Sequence, residues 1–219
     1  MPIPAPTVIA SIQIGRIVRL PDGETPSAIA KRPVDRAVQV GPEGIVGDEQ
    51  ADRSVHGGVD KAVLHYSLDH YASWWSDYGD ALPASLSGGG AFGENLSSAG
   101  WTEETVHLGD RIRVGSVLFE VSQARQPCFK LNVRHGVEDL AWRVQKTGRS
   151  GWYYRVLEPG TIRAGDSAEI VERPHPDWPV QRGFMTLMRD FQNVEALRSL
   201  RAIPALAQAW VQQIDRRLG

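Results

Sequence analysis

The sequence predicts a mainly β fold with α additions: a strand-rich, barrel-like domain over residues 1–172, then a small helical appendage over residues 173–219. Three observations carry this. Glycine and proline are frequent, 22 and 14 of 219 residues, which marks a chain with many turns and hence many strands. Between Val106 and Ser122 apolar and polar residues alternate: Ile112 and Val114, then Val117, Phe119 and Val121. Beyond the proline-rich break "RPHPDWPVQRG" the strand pattern stops, and Leu206, Trp210, Val211 and Ile214 fall at helical spacing after Pro204.

The elements follow in order. "TVIASIQIGRIVRL" is rich in β-branched residues and punctuated by Gly15, so it reads as strand. "PDGETPSAIAKRP" is turn-like, and "DRAVQVGPEGIVGD" gives a short strand and a glycine-rich turn. "LHYSLDHYASWWSDYG" changes to helical period. It places Leu68, Tyr71, Ala72, Trp75 and Tyr78 on one face, with Ser67 as cap, Asp69 in the first turn and Gly79 at the end. "SLSGGGAFGENL" is a glycine loop running into an extended piece. Gly115-Ser116 fits a two-residue type II′ hairpin turn. "GVEDLAWRVQKTG" predicts a helix with Val137, Leu140, Ala141 and Val144 on one face and Gly148 closing it, before "GWYYRVLEPG" and "GDSAEIVER" return to strand. Three Gly-Asp pairs, Gly47-Asp48, Gly109-Asp110 and Gly165-Asp166, suggest repeated corners at strand entries.

Composition narrows the class. A length of 219 residues can bury a sizeable core, and 42% hydrophobic with 23% charged residues is ordinary for a soluble globular protein. A net charge of −2 argues against broad contact with nucleic acid or an anionic membrane, though not against a local basic pocket. The start "MPIPAPTVIASIQIG" lacks a signal-peptide pattern, and no apolar run of about 18 residues occurs. Cys128 is the only cysteine, so no intrachain disulfide can form and a reducing cytoplasm is the expected location.

Four clusters could do chemistry. In "SVHGGVDKAVLHY", His56 precedes Gly57 and Gly58, whose backbone can approach a ligand closely, and Lys61 could add positive charge for a phosphate. The spacing is not that of a Walker A loop, and a plain turn is the structural alternative. In "AFGENL", Glu94 and Asn95 follow the glycine loop. Either could be satisfied by backbone, or the Asn95 amide could orient a ligand. In "QARQPCFK", Pro127 shapes a corner that aims the Cys128 thiol, and Arg125 and Lys130 flank it with charges that favour thiolate. Inert burial is the commoner fate of a free cysteine. In "KTGRSGWYYR", Lys146, Arg149, Ser150 and Arg155 are spaced by Gly148 and Gly151, a pattern for an anion site or a solvated basic turn. The six histidines form no zinc signature. His56 and His65 are nine apart, and a His56, His65, Cys128 site is conceivable without being demanded.

Taken together, "GDEQADRSVHGGVDKAVLHY", "FGENL", "QPCFKL" and "TGRSGWYYRVLEPGTIRAGD" resemble, in this order, the MOSC-domain family of the YiiM-like type. The name refers to the C-terminal domain of molybdenum cofactor sulfurase. The resemblance covers nearly the whole chain and extends to the tail, which looks like that type's three-helix extension. It implies a MOSC barrel-like fold and a molybdenum cofactor of the molybdopterin form, with the motif cysteine, here Cys128, as metal ligand and catalytic residue. It implies cofactor-binding roles for His56, Gly57, Gly58, Lys61, Glu94, Asn95, Arg125, Arg149, Ser150 and Arg155, without deciding which basic cluster takes the pterin phosphate. At family level it also carries pyridoxal phosphate binding and detoxification. The implied reaction reduces small N-hydroxylated substrates such as 6-hydroxylaminopurine to the amine and water. No dinucleotide fingerprint or iron–sulfur cysteines occur, so electrons would come from a separate flavin or iron–sulfur donor protein. The alternative is a non-enzymatic carrier of sulfur or of the cofactor, with a thiol hydrolase or zinc protein a distant third. The apolar stripe of the tail could cover the barrel or form a homodimer contact. No nucleic acid or membrane partner is expected.

Overall fold

The computed structural model describes residues 2–52 and 56–219. Arg53, Ser54 and Val55, inside the first of the four motifs, lie outside the described residues. The front of the chain forms short strands: β1 (Thr7–Val8), β2 (Ser11–Ile14), β3 (Val18–Arg19), β4 (Pro26–Ser27), β5 (Arg32–Val34), β6 (Val38–Gly41) and β7 (Gly44–Ile45). β8 (Val63–Ser67) leads into α1 (Asp69–Tyr78), followed by β9 (Leu96–Ser98), β10 (Arg111–Val114) and β11 (Val117–Ala124). Two short helices, α2 (Lys130–His135) and α3 (Leu140–Thr147), precede β12 (Trp152–Glu158), β13 (Gly160–Ile162) and β14 (Ser167–Glu172). The tail is α4 (Val180–Met188), α5 (Val194–Arg201) and α6 (Gln208–Leu218).

Nine strands form one sheet in the order β1-β14-β10-β11-β12-β8-β9-β2-β5. Every neighbouring pair is antiparallel except β8 with β9. The sheet curls into a half-barrel, so the fold is mixed α/β, with a cluster of three C-terminal helices. Irregularities in the β10–β14 and β11–β12 registers add local twist of the kind that curls a sheet. β13, β6 and β7 make a second small sheet.

Local chemistry explains several elements. The β10–β11 hairpin closes on Gly115-Ser116 with Gly115 at φ 53° and no positive φ at Ser116, as a type II′ turn requires. All three Gly-Asp corners take one form. The glycine has φ between 80° and 94°, and the aspartate N–H donates to the carbonyl three residues back. α3 buries Leu140 and Val144 and stops at Gly148, φ 75°. In α1 the buried face differs from the expected one. His70 and Trp74 point inward while Trp75 is 57% exposed and Ala72 is exposed. The helix leans on the glycine loop and β8: Trp74 stacks on Phe92 and donates to the Tyr66 hydroxyl at 2.7 Å. α2 has no counterpart among the expected elements, because six residues are too few to show a period.

Two cores lie on opposite faces of the sheet. Val63 of β8, Trp152 and Tyr154 of β12, and Phe119 and Val121 of β11 join the main core, which also holds Phe184, Leu200, Leu206, Trp210, Val211 and Ile214. The tail's apolar stripe is therefore buried against its own sheet. Tyr66, one residue out of phase with Val63 and His65, joins a second core with Trp74, Phe92, Leu131, Leu140 and Val144. No helix among the described residues is long and apolar enough to cross a membrane.

Candidate functional site

The site begins with a defect in β11. Val117, Phe119 and Val121 face the main core, and Val121 pairs with Tyr154. The register then slips by one residue: Gln123 pairs with Tyr153 and Ala124 with Trp152. A one-residue bulge turns every later side chain over. Ala124 thus returns to the core, and Arg125 is delivered to the other face of the sheet. There it joins Leu64 and Tyr153, the cleft-facing alternates of β8 and β12, in the wall of a cleft. Ser122, the extra residue, donates its hydroxyl to the carbonyls of Asp60 and Tyr153, and its own carbonyl accepts from Ala207 N.

The cleft lining gathers most of the expected residues: His56, Gly57, Lys61, Asn95, Arg125 and Cys128, with Lys130 beside them. Cys128 is half-buried, on the turn between β11 and α2, and its carbonyl accepts from Leu131 N. Gly57 sits at φ 78°, a backbone conformation that favours glycine. Asn95 lines the cleft with its amide in use. Oδ1 accepts from Leu64 N, and Nδ2 donates to Gln13 O and to Asp48.

Other expected residues lie elsewhere. Gly58 is outside the lining, and so is Glu94. Glu94 is fully buried as the anchor of the glycine loop, accepting from the N–H groups of Gly90 and Phe92 and from the Tyr71 hydroxyl. Burial pushes its pKa up, and those hydrogen bonds oppose the shift. Ser150 is buried and donates to Gly151 O. Arg149 pairs with Asp77 at 2.6 Å, its guanidinium over the Trp74 ring. Arg155 holds Asp60 through Nε and Nη2 and Glu120 through Nη1. Asp60 also accepts from Gln208 N, tying the segment after the double glycine to the start of α6.

Among the cleft residues that escaped the sequence reading are Lys31, Asp48 and Tyr153. Asp48 is the hub of the wall. Its carboxylate takes the Lys31 ammonium, Gly15 N at 2.7 Å and Asn95 Nδ2 at 2.9 Å. The Gly47-Asp48 corner was a visible signal for this residue, and strict alternation around Trp152 and Tyr154 was one for Tyr153. Burial raises the Tyr153 pKa, so the phenol stays protonated.

The electrostatics of the cleft are positive. Burial, then the charges of Lys130, Arg125 and Lys61, push His56 down to about 4, so it is neutral near pH 7. Arg125 is 4% exposed, and its Nη1 is buried with no hydrogen-bond partner. No three His, Cys, Asp or Glu side chains among the described residues converge as a metal cage. The cleft therefore offers one thiol, a cationic wall and glycine backbone: it can present a soft ligand to a metal and hold an anion, and cannot by itself enclose a metal ion.

Comparison with known proteins identifies the family. The model of the MOSC domain matches residues 52–169. Protein YiiM of Escherichia coli (strain K12) is 38% identical over 206 residues, 94% of this chain and 90% of that protein. A protein named reductase from Gibberella moniliformis is 41% identical over 181 residues, 82% of this chain but 32% of that longer protein. The crystal structure of YiiM from Geobacillus stearothermophilus superposes with a TM-score of 0.81 at 34% identity, covering 98% of this chain and all of that one.

Proposed function

The chain belongs to the MOSC-domain family as a homologue of the YiiM proteins, and from that premise we propose that it is a molybdenum-cofactor-dependent reductase of N-hydroxylated compounds. Family membership supports a role in sulfur- or molybdenum-cofactor-related chemistry. The observation that carries the finer reading is the position of Cys128: the only thiol of the chain stands half-buried in the wall of a cationic cleft.

The donor set fits the group. A single soft thiolate suits a metal whose remaining ligands arrive with a cofactor, and a cationic wall suits that cofactor's phosphate. When bound, the molybdenum cofactor supplies two-electron oxygen-atom chemistry. The residues of the chain do the rest. Cys128 holds the metal, with Pro127 fixing the direction of its sulfur. Gly57 lets backbone approach the ligand. Ile29, partly buried at the edge of the second core, gives the cleft an apolar side chain against which a flat ring such as a purine can lie. The net reaction, R–NHOH plus two electrons and two protons giving R–NH2 and water, needs proton donors at the cleft. Tyr153, whose phenol burial keeps protonated, lines it and is the donor. Electrons come from a separate flavin or iron–sulfur protein. The fungal relative is named a reductase, which accords with this direction of chemistry.

The test is molybdenum content and pterin fluorescence on wild type and Cys128→Ala made side by side in a cofactor-competent host, with turnover of 6-hydroxylaminopurine under a reduced donor. Wild type is expected to hold near-stoichiometric molybdenum and to turn over, and Cys128→Ala to lose turnover and most of the metal. Full turnover by Cys128→Ala would sink the mechanism. Stoichiometric cofactor in wild type with no turnover under any reduced donor would favour a carrier.

A further inference from the structure

We propose that Arg125 is the oxyanion-binding residue of the cleft, and that the oxyanion it takes is the phosphate of the pterin cofactor. The proposal rests on the molybdenum-cofactor reading above and decides between two basic clusters that the sequence leaves equal. The cluster after α3 is already neutralised. Arg149 has Asp77 as its partner and Trp74 beneath it, and Arg155 is shared between Asp60 and Glu120. Neither arginine lines the cleft. Arg125 does line it, at 4% exposure, with Nη1 buried and without a partner and with no carboxylate paired to it among the described residues.

A buried guanidinium left without a counter-ion or acceptor is strongly unfavourable. Here it is no accident of one rotamer, because the β11 bulge directs the side chain to this face. An oxyanion in the cleft would supply both the missing acceptor and the missing charge, in the geometry a guanidinium prefers. Lys61 and Lys130 line the same wall and strengthen the potential. Burial first, and then these three cations, hold His56 below its ordinary value, so Arg125, Lys61 and Lys130 act on one region of the cleft. Arg125 lies three residues before Cys128, so their Cα atoms are at most about 10 Å apart along the chain. One small molecule can therefore meet both the thiol and the guanidinium.

The experiment titrates inorganic phosphate into the full chain made in a host unable to make the pterin, reading a calorimetric isotherm and the thermal midpoint. Wild type and Arg149→Gln are expected to share one Kd. Arg125→Gln is expected to bind roughly tenfold or more weakly, as loss of a charge-assisted hydrogen bond implies. Arg125→Lys, which keeps the charge and loses the fork, should fall between, and near-UV circular dichroism reports that each variant is folded. No binding by wild type, equal binding by wild type and Arg125→Gln, or loss confined to Arg149→Gln overturns the proposal. A second arm identifies the source of the oxyanion. Wild type purified with pterin bound should no longer take up inorganic phosphate, and unchanged uptake by that loaded protein overturns the assignment to the cofactor's phosphate. Failure of the metal reading looks different: phosphate binding lost in Arg125→Gln while loaded wild type contains no molybdenum would remove the cofactor and leave the oxyanion site standing.

Discussion

Lys31 and Arg125 are cations whose side chains are sunk in the wall of one cleft, and they are held in opposite ways. The Lys31 ammonium lies against both oxygens of Asp48, whose carboxylate also takes Gly15 N and Asn95 Nδ2. That cluster fastens β2, the Gly47-Asp48 corner and the start of β9 together. Arg125 comes from the end of a bulged strand and reaches no carboxylate among the described residues. The first arrangement completes itself from within the chain and is architecture. The second, on the proposal above, is completed by a bound oxyanion. Burial of a charge alone does not mark a site; burial without a partner, on a wall that faces a cavity, does.

The sharpest way to break the comparison is to remove the counter-ion from the paired cation. Asp48→Asn keeps the shape and leaves a buried ammonium facing a neutral amide. Breaking a buried pair from one side costs about 3–5 kcal/mol, so chemical denaturation should show the variant as the least stable discussed here. Adding Lys31→Met should restore part of the loss, because the uncompensated charge is then gone. A double variant no better than Asp48→Asn alone would mean that Asp48 acts through Gly15 and Asn95 and not through Lys31.

Arg125 predicts the opposite sign. In protein made without cofactor, Arg125→Met keeps most of the apolar stem and removes an unpaired buried charge. Replacing such a charge by a hydrophobic side chain is neutral or stabilising by about 1 kcal/mol or more, while phosphate binding is lost. Stability gained at the expense of binding is what a group retained for function should show. A denaturation midpoint lower than wild type by the amount seen for Asp48→Asn would place Arg125 with Lys31 as architecture.

How much of this was legible in the sequence follows from the range of each interaction. The type II′ turn at Gly115-Ser116, the Gly-Asp corners that enter β10 and β14 and the end of α3 at Gly148 are decided by neighbours a few residues away, and each was readable, whereas Gly47-Asp48 makes the same corner without entering a strand. The curled sheet was readable in class only, because strand order depends on pairings such as β8 with β9, across α1 and the glycine loop. α1 was found but its face was misjudged. Trp74 and Trp75 are equivalent to a period count, and the choice was made by Phe92 and Tyr66. In the cleft, Cys128 and Gly57 were readable as parts of a pattern, whereas Gly58 of the same "HGGVDK" lies outside the lining. The states of the arginines could not, since their partners are remote in sequence: Arg149 meets Asp77, and Arg155 meets Asp60 and Glu120. Lys31 was invisible as a wall residue for the same reason. The bulge at Ser122 was hidden because strict alternation over "VLFEVSQAR" is the simplest reading, and it points Arg125 into the core.

His56 offers a finer probe of the same contrast. Arg125 is among the charges that depress it, and Lys31 is not. An unpaired charge reaches its neighbours, whereas a paired one is largely cancelled. In cofactor-free protein, an NMR titration should find His56 near 4 in wild type, higher in Arg125→Met, and little changed in Lys31→Met. The linkage has a definite sign. The folded value lies below the unfolded value of 6.5, so the stability contributed by neutral His56 is full above pH 6.5 and is lost as pH falls toward 4. Arg125→Met should therefore resist acid better over that window. An unchanged His56 titration in Arg125→Met would show that the guanidinium is neutralised after all.

The smallest effect belongs to the third kind of cation, paired but near the surface. Arg149 and Asp77 keep 24% and 32% of their side chains exposed, and water already screens both charges. Exposed pairs of this sort contribute about 0.2–1 kcal/mol, and a cation above a ring at a half-exposed position adds a similar amount. Arg149→Gln should thus cost about 1 kcal/mol, with part of that cost removed by high salt even in wild type. The three cations then fall in an order fixed by partner and burial together: strong loss on unpairing Lys31, neutrality or gain on deleting Arg125, mild salt-sensitive loss on deleting Arg149. A loss of 3 kcal/mol or more at Arg149 would contradict the screening argument, and would mean that stacking on Trp74, at the edge of the second core, holds α1 against α3 more firmly than the ion pair does.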